Sequence, residues 1–192
     1  MRKGAEADIS LRDGRLIKER VKKKYRILEL DTRLRRQRTR REAKNMETAA
    51  GIGVKVPKLF KADERKFTVE MEYVPGELLK DVFERGERIG ELSRQVGESL
   101  RRLHDGGLVH NDLTTSNLIL GKDGIYVIDF GLAFHTDRLE DQAMDLVVFR
   151  KSIKATHTRH ADDIWAALLD GYKPDKEMAT RIETIEGRAR YK

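Results

Sequence analysis

Two aspartates, Asp112 and Asp129, constrain this chain more than any other feature of its sequence. Asp112 lies in the polar stretch His110-Asn111-Asp112-Leu113-Thr114-Thr115-Ser116-Asn117, directly after the apolar Leu108-Val109. Asp129 ends the apolar run Val127-Ile128 and is followed by Phe130-Gly131. Short strands are expected at 117–120 and 125–128, on either side of the turn Lys122-Asp123-Gly124. Taken singly, such residues are ordinary turn or cap residues. Together, with Asn117 five positions after Asp112, they form a set suited to phosphoryl transfer. A loop carboxylate can orient an attacking hydroxyl and accept its proton. Asn117 and Asp129 offer hard oxygen ligands to Mg2+, which binds through few protein groups plus substrate phosphates. Gly131 allows a sharp turn behind the metal ligand.

The remaining sequence divides around Val74-Pro75-Gly76. Before it, Ala5, Ala7, Ile9, Leu16, Ile17 and Val21 alternate about the turn Asp13-Gly14, the pattern of an antiparallel hairpin. Residues 31–50 lack Gly and Pro and predict a helix with a mostly polar surface. Strands are expected at 54–60 and 66–73, with Phe67, Val69 and Met71 on one face. After the break, Ile89, Leu92, Val96, Leu100 and Leu103 recur at helical spacing and stop at Gly106-Gly107. Further helices are expected at 139–155, 161–169 and 174–187, the last with Pro174 in its first turn. The division is therefore 1–73, a sheet with one helix, and 74–192, mostly helical. A nucleotide fits between two such units.

Composition narrows the chemistry. With no cysteine in 192 residues, disulfides, thiol catalysis and Cys-ligated zinc are excluded. The five histidines lack zinc-type spacing, so no structural metal is expected. No apolar run approaches the ~20 residues that span a bilayer, and the first ten residues lack a secretory core, which predicts a cytoplasmic protein with no membrane partner. The 38% charged content without cysteine is that of a thermophilic, intracellular protein. Residues 1–61 carry 20 Lys/Arg against 8 Asp/Glu, while the remainder is net negative within the overall +7. Arg33, Arg35, Arg36, Arg38, Arg40, Arg41 and Lys44 crowd the expected helix, after Lys22, Lys23 and Lys24. Such a front half suits a polyanion or an acidic protein, or else a solvated surface.

The two aspartate segments resemble the catalytic loop and Asp-Phe-Gly motif of protein kinases. That resemblance implies an α+β, two-lobed protein-kinase-like fold, truncated at this length, with a reduced helical C-lobe. It makes Asp112 the catalytic base, Asn117 and Asp129 the Mg2+ ligands, and His110 a packing residue. Leu16-Ile17-Lys18 resembles the strand whose lysine grips the ATP α- and β-phosphates, and Glu42 stands where its partner belongs. Met71-Glu72-Tyr73-Val74-Pro75-Gly76 resembles the inter-lobe hinge, with the backbone of Glu72 and Val74 against adenine. Lys3-Gly4-Ala5-Glu6-Ala7-Asp8-Ile9 is the poorest match, to the glycine-rich loop. It places the backbone of Gly4 and Ala5 near phosphate.

A narrower resemblance covers essentially the whole chain. Lys3-Gly4-Ala5-Glu6-Ala7, Ile17-Lys18-Glu19-Arg20-Val21, Thr39-Arg40-Arg41-Glu42-Ala43 and Asp112-Leu113-Thr114-Thr115-Ser116-Asn117 together resemble the small atypical kinases of the KEOPS tRNA-modification complex (PRPK type), and point to an archaeal source. This implies a Ser/Thr protein kinase or ATPase using ATP and Mg2+. Its implied partners are the subunit that installs threonylcarbamoyl on tRNA adenosine, other KEOPS subunits, and tRNA itself through the basic helix and C-terminal tail. Thr114 stands where typical kinases place a lysine that neutralises the γ-phosphate, and Asn111 replaces the glycine usual in the family. No Ala-Pro-Glu motif follows Gly131, and only about eight residues precede the helix near Leu139, so the activation segment is very short. Asp145 is expected to hold the backbone of the catalytic loop. Two other readings are a small-molecule kinase of the aminoglycoside or choline type and a non-catalytic nucleotide-binding scaffold. Gly131 and the short C-terminal half argue against the first; the set Lys18, Asp112, Asn117 and Asp129 argues against the second.

Overall fold

In the computed structural model, which describes residues 2–3 and 7–190, β1 (Arg2–Lys3) pairs antiparallel with β2 (Ala7–Arg12), and β2 returns as β3 (Arg15–Arg20). Asp13 (φ 50°) and Gly14 (φ 74°) are both left-handed, as a two-residue hairpin turn of the right twist requires, and Asp-Gly is suited to it. Helix α1 (Leu28–Gly51) starts at Leu28 rather than at residue 31, because Asp31 is not its cap. The Asp31 carboxylate is buried inside the first turn, accepting from the Lys23 amide (3.0 Å) and Arg35 Nε (2.7 Å). Strands β4 (Leu59–Asp63) and β5 (Thr68–Glu72) complete a five-stranded sheet in the order β1-β2-β3-β5-β4.

The strand expected over 54–60 forms only from Leu59. Its first residues bond elsewhere: the Val54 amide donates to Ala49 (3.0 Å), and the Lys55 carbonyl accepts from Val127 (2.9 Å). Pro57 has no N–H to give to a ladder. This stretch therefore ties the end of α1 to the second half of the molecule.

That half begins with β6 (Gly76–Leu78), α2 (Leu79–Glu84) and α3 (Ile89–Asp105), followed by β7 (Leu108–Val109). A 3-10 turn (Thr115–Asn117) leads into the hairpin β8 (Leu118–Gly121) and β9 (Gly124–Val127). A second 3-10 turn (Phe130–Leu132) precedes β10 (Phe134–His135), and α4 (Leu139–Thr156), α5 (Ala161–Tyr172) and α6 (Lys176–Arg190) follow. Strands β6, β8 and β9 form a three-stranded sheet, and β10 pairs with β7. Helix α5 runs beyond residue 169 because Gly171 packs against a neighbouring helix and is not a stop. A Cβ there would land on the Arg94 carbonyl of α3, as one at Gly97 would land on the Leu168 carbonyl of α5. Helix α6 begins at Lys176, with the Asp175 carboxylate accepting the Met178 amide (2.8 Å).

One hydrophobic cluster joins the two halves. It runs from Met46, Val69 and Met71 through Leu118, Val127 and Phe130 to Leu103, Leu146, Phe149 and Leu168. The sheets and the loop after β7 are thereby packed on common ground, and a cleft is left between them. Among the described residues no helix is long and apolar enough to cross a membrane.

Candidate active site

Strand alternation aims Leu16, Lys18 and Arg20 of β3 to one face. Leu16 and Lys18 line a cleft of about 470 Å³ whose other walls include Ile9, Glu42, Met71, Asn117, Ile119, Ile128 and Asp129. Apolar side chains thus flank a group of charges, the kind of pocket that takes a flat heterocycle with an anionic tail.

The charges are tightly arranged. Lys18 Nζ lies 2.7 Å from Glu42 Oε1 and 2.7 Å from Asp129 Oδ1. Glu42 is 1% exposed, and its second oxygen accepts from Arg20 Nη2 (2.5 Å). Burial by itself would raise the Asp129 carboxyl. The ammonium of Lys18, with Arg20 and His110 behind it, outweighs that and holds it below the usual aspartate value. Asp129 is therefore an anion at neutral pH, as a metal ligand must be.

The backbone around Asp129 is unusual and braced. Asp129 itself is left-handed (φ 64°, ψ 64°). Asn45 of α1 donates from Nδ2 to the carbonyls of Ala133 (2.8 Å) and Phe130 (3.4 Å), fixing the turn that follows. Gly131 is closely approached by a neighbour: a Cβ there would stand 2.5 Å from Arg20 Nη2 and push the guanidinium aside. Asn45 is not singled out by the sequence, and Arg20 enters only within the segment Ile17-Lys18-Glu19-Arg20-Val21, with no role of its own. The signals that could find them are Arg20's place on the Lys18 face of β3 and Asn45's position one turn beyond Glu42.

Asp112 is exposed at the mouth of the loop. Desolvation pushes its carboxyl above the usual value and nearby Asp129 and Asp145 add to this, against His110 and Arg38. Asn117 donates from Nδ2 to the Asp112 carbonyl (2.8 Å), which leaves its Oδ1 as an acceptor for a cation. The loop is held from α4 by Asp145, whose two oxygens accept the amides of His110 and Asn111 (2.8 Å each). His104 Nε2 stands 3.2 Å from the same carboxylate, and its Nδ1 is 2.8 Å from the Tyr172 hydroxyl. His110 donates from Nε2 to the Ile128 carbonyl (3.0 Å) and packs on Phe130, a structural position. Asn111 is left-handed (φ 63°), the conformation a glycine would supply, and asparagine tolerates it better than most residues. The Thr114 carbonyl accepts the Asn117 amide (2.9 Å), closing the 3-10 turn.

Glu72, Tyr73 and Val74, expected at the hinge, line the cleft. The Glu72 amide is already donated to Lys58 (2.9 Å), and its side chain accepts the Lys58 amide (3.0 Å). Any hydrogen bond from the backbone of residue 72 to a base therefore uses its carbonyl. Gly4 and Ala5 lie outside the described residues, as do Tyr191 and Lys192 of the basic tail. The basic helix is less uniform than its sequence. Arg35 pairs with Asp31 and stacks on Phe67 (3.9 Å), and Arg40 bonds Glu64 through two nitrogens (2.7 and 2.8 Å). Arg33, Arg36, Arg41 and Lys44 are exposed.

The model of the RIO-domain family matches residues 11–158. Bud32, a KEOPS complex subunit of Pyrococcus abyssi, is 38% identical over 211 residues, covering 100% of this chain and 96% of that protein. Probable bifunctional tRNA threonylcarbamoyladenosine biosynthesis proteins of Methanococcus maripaludis (strain C5) and Methanothermobacter thermautotrophicus are 41% and 42% identical, each over 98% of this chain. The alignments cover 35% and 36% of those proteins, so the chain spans roughly a third of their length. The crystal structure of a Rio2 kinase-ADP/Mg2+-phosphoaspartate complex from Chaetomium thermophilum superposes with a TM-score of 0.65 at 15% identity, covering 99% of this chain and 70% of that one. That likeness is one of fold, and it agrees with the kinase-like architecture expected from the sequence.

Proposed function

This chain belongs to the RIO-domain family of atypical kinases, and from that premise we propose that it is a Mg-ATP-dependent phosphotransferase, a serine/threonine kinase or ATPase, working as a subunit of a KEOPS-type assembly that supports threonylcarbamoyladenosine formation in tRNA. The observation that carries the chemical part is Lys18 Nζ, bonded to both Glu42 and Asp129 in a cleft that Asn117 also lines.

The donor set fits Mg2+. It consists of an ionised carboxylate and an amide oxygen, with room left for phosphate oxygens and water. Asn117 and Asp129 would hold the ion. When bound, it neutralises charge on the nucleotide phosphates and fixes their orientation. Lys18 leaves Asp129 to grip those phosphates, and Glu42 keeps the lysine aimed into the cleft. The Glu72 carbonyl and the Val74 backbone receive adenine between apolar walls. Asp112 orients the attacking hydroxyl or water and takes its proton. The raised Asp112 carboxyl suits it to that exchange better than an ordinary surface aspartate. Residues 1–73 and 74–192 act as the two lobes that close on the nucleotide.

The subunit role is drawn from the relatives. One is named as a KEOPS subunit and others as bifunctional tRNA threonylcarbamoyladenosine biosynthesis proteins. The proposed partners are accordingly the tRNA threonylcarbamoyltransferase subunit, the other KEOPS subunits and tRNA, in the cytoplasm. The short link from Gly131 to α4 supports this, since part of it is spent pairing β10 with β7 and little remains to dock a peptide. Steady-state assays on the isolated chain and the reconstituted complex test the reading. Alone, the chain should hydrolyse ATP slowly and phosphorylate generic peptides poorly; partner and tRNA together should change hydrolysis severalfold. Peptide phosphorylation by the isolated chain at the ~1–100 s⁻¹ typical of kinases would contradict it.

A further inference from the structure

Behind the cleft wall, beyond the residues that line it, Glu42 has a second cationic partner besides Lys18. Arg20 is 6% exposed and projects from the same face of β3 as Lys18. Its Nη2 bonds Glu42 Oε2, lies 3.5 Å from the Arg38 carbonyl of α1, and occupies the space where a Cβ on residue 131 would stand. A single guanidinium therefore touches the glutamate, the helix that carries it and the turn behind Asp129. Among the described residues its buried Nε has no hydrogen-bond partner, so this arginine is an expensive way to fill space.

Lys18, by contrast, is shared between Glu42 and Asp129. To reach a phosphate, its ammonium must loosen from Asp129 and shift relative to Glu42. A glutamate 1% exposed and paired with Lys18 alone would resist this, because withdrawing the ammonium leaves a buried carboxylate uncompensated. Arginine does not deprotonate, and its fork matches a carboxylate. We propose that Arg20 is a positioning residue for nucleotide binding, which keeps Glu42 paired and in place while Lys18 moves from Asp129 to the phosphates of a nucleoside di- or triphosphate. Arg20 acts through Glu42 and Lys18 and does not touch the ligand.

This inference rests on the nucleotide reading above, and calorimetric titration of the full chain with MgADP and with adenosine separates the two. Adenosine fills the base site but gives Lys18 nothing to grip. In Arg20→Met, MgADP should bind about tenfold more weakly, the scale of one missing charge-assisted hydrogen bond, while adenosine stays within about twofold. Arg20→Lys should recover part of the MgADP affinity. A merely structural role would weaken both ligands together, so equal losses in a folded Arg20→Met protein, or an unchanged MgADP affinity, would overturn the proposal. If Arg20→Met does not fold, Gly131→Ala, whose methyl group pushes the guanidinium aside, must produce the same split, and failure to do so overturns it equally. Wild-type protein that binds MgADP no more tightly than adenosine would remove the nucleotide reading, and this proposal with it.

Discussion

At Asp145, 2% exposed, two carboxylate oxygens supply the hydrogen bonds that a strand partner would otherwise give to His110 and Asn111. Burial by itself would raise this carboxyl, but His104, with the ring and amide of His110, outweighs it and holds it below the usual 3.8. Because the folded value lies below the unfolded one, the stabilisation is complete above pH 3.8 and is lost as pH falls through the folded value. Asp145→Ala leaves two amides and His104 without their acceptor, and should cost about 3–5 kcal/mol at neutral pH, as for a broken buried pair. Its stability should also fall less steeply than that of wild type below pH 3.8. Urea unfolding of both proteins at pH 7 and pH 3 checks this; a loss under about 1 kcal/mol at pH 7 would mean that water replaces the carboxylate. The polar loop and the Asp129 turn are legible in sequence because chemistry fixes their residue types and spacing. Arg20 and Asn45 are not, since one buried arginine among many basic residues, and one helical asparagine, reveal their partners only after α1 has docked.

Helix α1 carries both the site and its basic surface, and the two uses fall on different faces. Glu42, Asn45, Met46 and Ala49 point inward, while Arg33, Arg36, Arg41 and Lys44 reach solvent. Arg35 belongs to the fold through Asp31 and Phe67. If the solvent-facing set meets tRNA, neutralising Arg33, Arg36 and Arg41 together should weaken binding and reduce the slope of log affinity against log salt by about one for each phosphate no longer neutralised. The same substitutions should leave thermal stability nearly unchanged, since none of the three side chains is buried. Filter binding across a salt series measures the first and a melting curve the second; a flat salt dependence in wild type would return these arginines to the solvated surface. A long periodic element such as α3 is readable from sequence. The register of β4 is not, because Val54 and Lys55 bond to α1 and β9 instead of to the sheet. Strands β6, β7 and β10 are too short to carry a pattern and exist only through their partners.

Over the whole molecule, a continuous core ties the five-stranded sheet to the helices, and the charged cluster sits where β3, α1 and the turn after β9 meet. Each of these elements brings one part of the site: Lys18, Glu42 and Asp129. The kinase-like architecture could be anticipated because the two aspartate segments and the break at Val74-Pro75-Gly76 occur in the required order. Partner choice could not, as it depends on surfaces whose charge alone does not specify an occupant. The central claim is that Asp129 helps to hold the nucleotide's metal while Asp112 serves the transfer itself. Mg-ATP affinity and ATP turnover measured on the same Asp112→Ala and Asp129→Ala proteins test this directly. Asp112→Ala should lose at least ~10²-fold in turnover with Mg-ATP affinity nearly intact, and Asp129→Ala should lose both. Wild-type turnover by the Asp112→Ala protein would contradict the account.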